Sequence, residues 1–240
     1  MTTYSDKNIV DSWLQNARPW VAAIRYNEIE SRLLITNKAI IDTILQKAPE
    51  TVLDIGCGEG WLARELNKSG INTLGIDVVP ELVEAANKEG GGTFKLLSYE
   101  ELAQGAVKGK FDLIVCNFSL LGHESVANIF QYIPYMLNDH GYFIIQTIHP
   151  IAGCGDVKYE DGWRKGSWAG FSDNFTNPPP WYFRTLETWE TLFQHNGFKL
   201  SSTLEPLNPK TKNAVSIIFV AELAANKIPQ PTHKSGAAEL

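Results

Sequence analysis

Cysteine is scarce in this chain of 240 residues: three occur, at Cys57, Cys116 and Cys154, with no C-x-x-C pair. That excludes a disulfide framework and a cysteine zinc centre, predicts no metal site, and fits a reducing, cytoplasmic compartment. Positive charge is also short, with 21 Lys and Arg against 27 Asp and Glu and a net charge of −6. Binders of nucleic acid present a basic face to the phosphates, and no Lys/Arg cluster occurs here, so no nucleic-acid partner is expected. No apolar run approaches the roughly 18 residues of a membrane span. The polar start, Met1 to Asp11, has no signal-peptide core. Repeats and low-complexity blocks are absent, and nothing in the sequence bears on oligomeric state.

What is present is a sufficient apolar fraction, 44%, arranged in a rhythm. Residues 8–46 carry apolar stripes at helical spacing, punctuated by Pro19 and Pro49. Short apolar strands then alternate with helices. Strands are expected at 51–55, 72–76, 93–97, 110–117 and 141–148, with helices at 59–69, 80–89, 98–104 and 124–137 between them. Continuous apolar strands separated by helices predict βαβ units and a parallel sheet covered on both faces, a doubly wound α/β fold. A helix at 186–196 and strands near 198–204 and 214–221 complete a mostly parallel, seven-stranded sheet, the last two suited to antiparallel pairing. The expected division is an N-terminal helical cover (1–48), a main domain (49–222) with an insertion at 149–184, and a flexible tail (223–240).

The sharpest signal is Val52-Leu-Asp-Ile-Gly-Cys-Gly-Glu-Gly60, between the first strand and its helix. Gly56 and Gly58 permit a tight turn and close approach of a ligand to the backbone. Asp77 ends the second strand, 21 residues beyond Gly56, near the spacing at which a carboxylate meets a ribose diol. A dinucleotide fingerprint would read G-x-G-x-x-G, but here the third glycine is Gly60 and Trp61 fills the dinucleotide position. Asp54, two residues before the first glycine, suits a ligand bearing a positive amino group better than a pyrophosphate.

The run Asp54-x-Gly56-x-Gly58-x-Gly60 resembles motif I of the class I S-adenosylmethionine-dependent methyltransferases. The resemblance extends over about residues 34–222 and is nearest the bacterial small-molecule branch that contains the ubiquinone-biosynthesis enzymes. It implies a Rossmann-like methyltransferase fold, the cofactor S-adenosylmethionine and the product S-adenosylhomocysteine. It further implies that Gly56, Cys57 and Gly58 line the methionine portion, with Asp54 completing the motif. Asp77 would hold the ribose, Val78 would border the adenine, and Ser98 and Tyr99 would bracket the adenine edge. Asn117 and Phe118 would lie beneath the sulfonium. Ser98 also forms a capping box with Glu101, a purely structural use.

A small-molecule acceptor would sit over the ends of strands four and five. His149, His123 and Tyr182 are the candidates for a proton-accepting base, in that order. The aromatic segment that follows, with Trp163, Trp168, Trp181 and Tyr182 among its rings, is too aromatic for disorder and is expected to form a lid over the acceptor. Trp168, Trp181 and Tyr182 are candidate substrate contacts. Trp20 and Arg32 of the N-terminal cover are two more, Arg32 through its forked guanidinium toward the cofactor carboxylate or an acidic substrate. The leading expectation is O- or N-methylation of a small molecule. An NAD-dependent oxidoreductase on the same fold, or a non-catalytic binder of S-adenosylmethionine or S-adenosylhomocysteine, are the alternatives.

Overall fold

The computed structural model describes residues 4–224, so the expected flexible tail, from residue 225 on, lies outside the described residues. The N-terminal cover is α1 (Asp6–Arg25) followed by a π-helical turn (Arg32–Thr36) that runs into α2 (Asn37–Leu45). The alternating part is β1 (Thr51–Ile55), α3 (Trp61–Asn67), β2 (Asn72–Asp77), α4 (Pro80–Glu89), β3 (Thr93–Leu96), α5 (Tyr99–Ala103), β4 (Phe111–Asn117), α6 (Glu124–Met136) and β5 (Leu137–Ile148). The insertion holds α7 (Pro150–Cys154) and a small hairpin of β6 (Gly162–Arg164) and β7 (Trp181–Phe183). Then come α8 (Leu186–His195), β8 (Phe198–Leu204) and β9 (Ser216–Leu223).

The main sheet has seven strands in the order β3-β2-β1-β4-β5-β9-β8. The first five are parallel, and β9 runs antiparallel to both β5 and β8. Because side chains alternate along a strand, each strand feeds two cores. Leu53, Ile114, Phe143 and Phe219 face one layer with Phe130 of α6 and Phe193 of α8. Val52, Val115, Ile144 and Val220 face the other with Ile40 and Ile44 of α2 and Leu62 and Leu66 of α3. This double coverage explains the unbroken apolar runs.

Local signals set several boundaries. Pro80 opens α4 and Gly90 closes it. Ser98 caps α5, its Oγ accepting from Glu101 N at 3.2 Å while Ser98 N donates to Glu101 Oε2 at 2.8 Å. The helical stretch expected over 8–46 is broken at Tyr26–Asn27, where Asn27 adopts φ 57°. Helix α1 nevertheless passes through Pro19, because its buried stripe of Ile9, Asn16, Ala17 and Ala23 anchors it on both sides of the proline. The insertion is also more ordered than a loop, with helix or strand at 150–154, 162–164 and 181–183.

Candidate active site

The strand order reverses between β1 and β4, the place where open α/β sheets form a crevice at their carboxyl ends. A cavity of about 470 Å³ occupies it. Its floor is Gly56, Gly58, Asp77, Val78, Asn117 and Phe118, and its roof is Trp13, Trp20, Trp168, Phe171 and Trp181.

The glycine turn is tied to the next strand. Ile76 O accepts from Gly56 N at 2.8 Å and Cys57 N at 3.0 Å. Gly58 N donates to Asp77 Oδ2 at 2.8 Å, and Val79 N donates to Asp77 Oδ1 at 2.9 Å. Gly56 has φ +75°, and a Cβ there would collide with that of Ser119. Gly58 has φ +58° and only Trp20 Nε1 within reach of an added Cβ, so its backbone is bare toward the cavity. The Asp77 carboxylate keeps acceptor capacity beyond these two bonds. Burial pushes its pKa up, partly offset by the backbone N–H groups.

Asp54 lies just behind this turn, 2% exposed. Burial, reinforced by the charge of Asp77, pushes its carboxyl from 3.8 up to about 7. Beneath the loop, Glu59 is wholly buried and held by Arg64. That buried carboxylate faces Arg32, whose pKa burial lowers to about 10 and Glu59 partly restores. The Arg32 guanidinium lies 4.7 Å from the Trp61 ring centroid and 5.7 Å from that of Trp20. Its Nη2 is buried without a hydrogen-bond partner. Arg32 and Thr36, the two ends of the π-helical turn, both line the cavity. Such turns recur at functional sites because the extra residue re-aims side chains.

The roof is latched in two places. Asn16 Nδ2 donates to Thr176 O at 2.7 Å and Thr176 N donates back to Asn16 Oδ1 at 2.9 Å, joining α1 to the insertion. At the start of α1, Asp6 accepts from His123 N at 2.8 Å and Ser125 N at 2.7 Å, capping α6. Trp13 stands edge-on to both Trp20 (5.0 Å) and Trp168 (5.8 Å), so the two covers share one aromatic cluster.

The cavity gathers Gly56, Gly58, Asp77, Val78, Tyr99, Asn117 and Phe118, together with Trp20, Arg32, Trp168 and Trp181. Other expected residues do not reach its lining. Asp54 and Cys57 point back into the protein, and Cys57 packs with Ala63, Val83 and Phe94. Ser98 spends its hydroxyl on the α5 cap. None of the three candidate bases lines the cavity, which corrects the expected placement. His149 is turned to Glu205, Nε2 to Oε1 at 3.2 Å, because the chain dives into α7 at Pro150. The His123 ring packs at a tilt of 36° on Tyr182 with centroids 4.1 Å apart, and Tyr182 is enclosed further by Trp163 and Arg184. Sequence reasoning missed Trp13, Thr36, Phe171 and Ser119. Trp13 carried a signal, about two turns before Trp20 on the same helix, and Phe171 stood among the rings of the aromatic segment.

Comparison with known proteins agrees with this fold. A family model described as a methyltransferase domain matches residues 26–203. The ubiquinone biosynthesis O-methyltransferase of Actinobacillus pleuropneumoniae is 32% identical over 127 residues, 48% of this chain and 54% of that protein. The chain thus spans about half the length of the curated relatives it matches. Among solved structures, an S-adenosylmethionine-dependent methyltransferase from Clostridium acetobutylicum has a TM-score of 0.64 at 16% identity, covering 85% of this chain and 100% of that one. The magnesium protoporphyrin IX methyltransferase of Synechocystis with bound S-adenosylhomocysteine has a TM-score of 0.55 at 18% identity, covering 78% and 81%.

Proposed function

Because the chain belongs to the class I S-adenosylmethionine-dependent methyltransferases, we propose that it transfers a methyl group to a small-molecule acceptor seated under the aromatic roof. Its cofactor is S-adenosylmethionine, which when bound supplies a methyl group on an activated sulfonium. The residues present fit that cofactor. Asp77 offers free acceptor capacity to a ribose diol, and the bare backbone at Gly58 admits a ligand chain. The orphaned Nη2 of Arg32 seeks an anion, which the methionine carboxylate would provide. Val78 and Tyr99 would border the adenine, and Asn117 and Phe118 the sulfonium end.

The observation that carries the reading is the roofed cavity itself: one volume runs from Asp77 to Trp168 and Trp181. About 470 Å³ falls in the range of small-molecule sites. The acidic net charge supports a small-molecule acceptor over a nucleic acid. Among the lining residues only Arg32, Asp77 and Tyr99 are titratable. Tyr99 donates its hydroxyl to Ser119 O at 3.0 Å, and burial holds its phenol well above the usual pKa. The protein therefore contributes position and exclusion of water rather than a base. That arrangement suits an oxygen or nitrogen acceptor that attacks without a protein base. An O-methyltransferase among the relatives supports oxygen.

The test is to incubate the protein with methyl-labelled S-adenosylmethionine and a cell extract separated by ultrafiltration. Label should enter the small-molecule fraction and depend on Asp77. Label confined to nucleic acid or protein would overturn the reading.

A further inference from the structure

Glu59 stands inside the glycine turn, between Gly58 and Gly60, yet its side chain is wholly buried and takes no part in the cavity lining. The backbone of the turn faces the cofactor site at Gly58, while the Glu59 carboxylate points into the protein. Arg64 of α3 holds it there: Nη1 donates to Glu59 O at 2.7 Å, and Nη2 pairs with Oε2. The other carboxylate oxygen, Oε1, is buried with no hydrogen-bond partner. Most buried side-chain polar atoms in native proteins are paired, so this exception needs a reason.

Arg32 supplies one. Its guanidinium lies 4.7 Å from the ring centroid of Trp61, two residues after Glu59 in the chain. Its Nη2 is likewise buried and unpaired. Burial lowers the Arg32 pKa to about 10, and the charge of Glu59 works against that fall. Arg64, Glu59 and Arg32 thus form a row of two positive charges and one negative. One unit of positive charge is left over. Arg32, the member of the row that lines the main cavity, presents it there. Packing alone does not fix this guanidinium, because Arg32 also borders a second cavity of about 180 Å³ together with Trp61 and Arg64. A long flexible side chain between two cavities needs an attraction to choose its place, and a buried charge close by is a strong one.

We propose that Glu59 is the positioning residue for Arg32: its buried charge, anchored by Arg64, keeps the guanidinium against Trp61 and beside the main cavity, set for the carboxylate of the cofactor. This rests on the reading of Arg32 as the partner of that carboxylate. The glycine turn then serves the cofactor twice, through the bare backbone of Gly58 and through the hidden side chain of the next residue. A ligand that has the adenosine but lacks the amino-acid tail makes no use of Arg32, so it is indifferent to Glu59. Selectivity for the intact tail is therefore the property that Glu59 controls.

Calorimetry on the whole protein with S-adenosylhomocysteine and with 5′-methylthioadenosine tests it. Glu59→Gln keeps the shape and removes the charge. It should weaken S-adenosylhomocysteine about fivefold, a size ordinary for side chains coupled in one charged network, and change 5′-methylthioadenosine by less than about twofold. Placed in the Arg32→Gln protein, the same substitution should change S-adenosylhomocysteine by less than about twofold, because nothing is left to position. Loss of both ligands in step would make Glu59 a structural part of the turn and overturn the proposal. So would tighter binding of S-adenosylhomocysteine, the result if Glu59 only competed with the ligand for the guanidinium. If Glu59→Gln does not fold, Glu59→Asp keeps the charge and draws it back by one methylene; the same selective loss, about twofold or more, is expected there, and an unchanged ratio of the two affinities overturns the proposal. The premise is read separately: an Arg32→Gln protein with the wild-type ratio removes it, whereas a ratio altered by Arg32→Gln and untouched by Glu59→Gln rejects the role of Glu59 alone.

Discussion

Replacing Asp54 with asparagine should flatten the pH dependence of stability between about 4 and 7. In the folded protein this carboxyl is pushed from 3.8 to about 7 by burial and by the charge of Asp77. The unfolded chain releases the proton near its ordinary value. Between those two values the native state holds a proton that the unfolded state has lost, so stability falls as pH rises. The loss begins near pH 4 and is complete above about 7. About three units at 1.36 kcal/mol each amount to roughly 4 kcal/mol at neutral pH. That is a large share of the roughly 5–15 kcal/mol by which domains are stable. Asparagine keeps the shape and cannot ionise, and Asp54 makes no described hydrogen bond that the change would break. Asp6 and Asp112, whose pKa values hydrogen bonds hold low, give an opposite slope that is common to both proteins and cancels in the difference. Urea denaturation of both proteins from pH 4.5 to 8 measures it. The variant should gain on the wild type by several kcal/mol across that range. A difference that stays flat with pH would refute the reasoning.

Three other perturbations probe the site. Asp77→Asn should weaken S-adenosylhomocysteine binding roughly tenfold to a hundredfold, since it removes a charged acceptor and turns an NH₂ toward Gly58 N or the ribose; calorimetry reads it. Arg32→Gln should weaken S-adenosylmethionine about tenfold yet leave 5′-methylthioadenosine, which has no carboxylate, nearly unchanged. Asn16→Ala breaks both bonds to Thr176 and should loosen the roof, speeding proteolysis within 165–180 several-fold while barely moving the global unfolding midpoint.

The parallel strands were legible because each is an apolar run bounded by Gly, Pro or a cap, and burial on both faces leaves that imprint. Gly56, Gly58 and Asp77 were legible because the turn and the acidic strand end stand at a spacing set by two adjacent parallel strands. The π-helical turn was not, since Arg32–Thr36 reads locally as ordinary helix, and only the packing of Arg32 against Trp61 and the bond from Gln146 to Thr36 O reveal it. The hairpin of Gly162–Arg164 with Trp181–Phe183 was hidden by strands of three residues each. His149 was placed correctly at a strand end, but its direction depends on Glu205, 56 residues away, a contact no local pattern encodes.

The central claim is that one carboxylate, Asp77, anchors the sugar of the cofactor while the strand-four end meets its sulfur. A crystal structure of the complex with S-adenosylhomocysteine tests it most directly. It should show both ribose hydroxyls on the Asp77 carboxylate and the sulfur beside Asn117 and Phe118. Adenosine bound away from Asp77, with the crevice between the glycine turn and β4 filled by side chains, would contradict it.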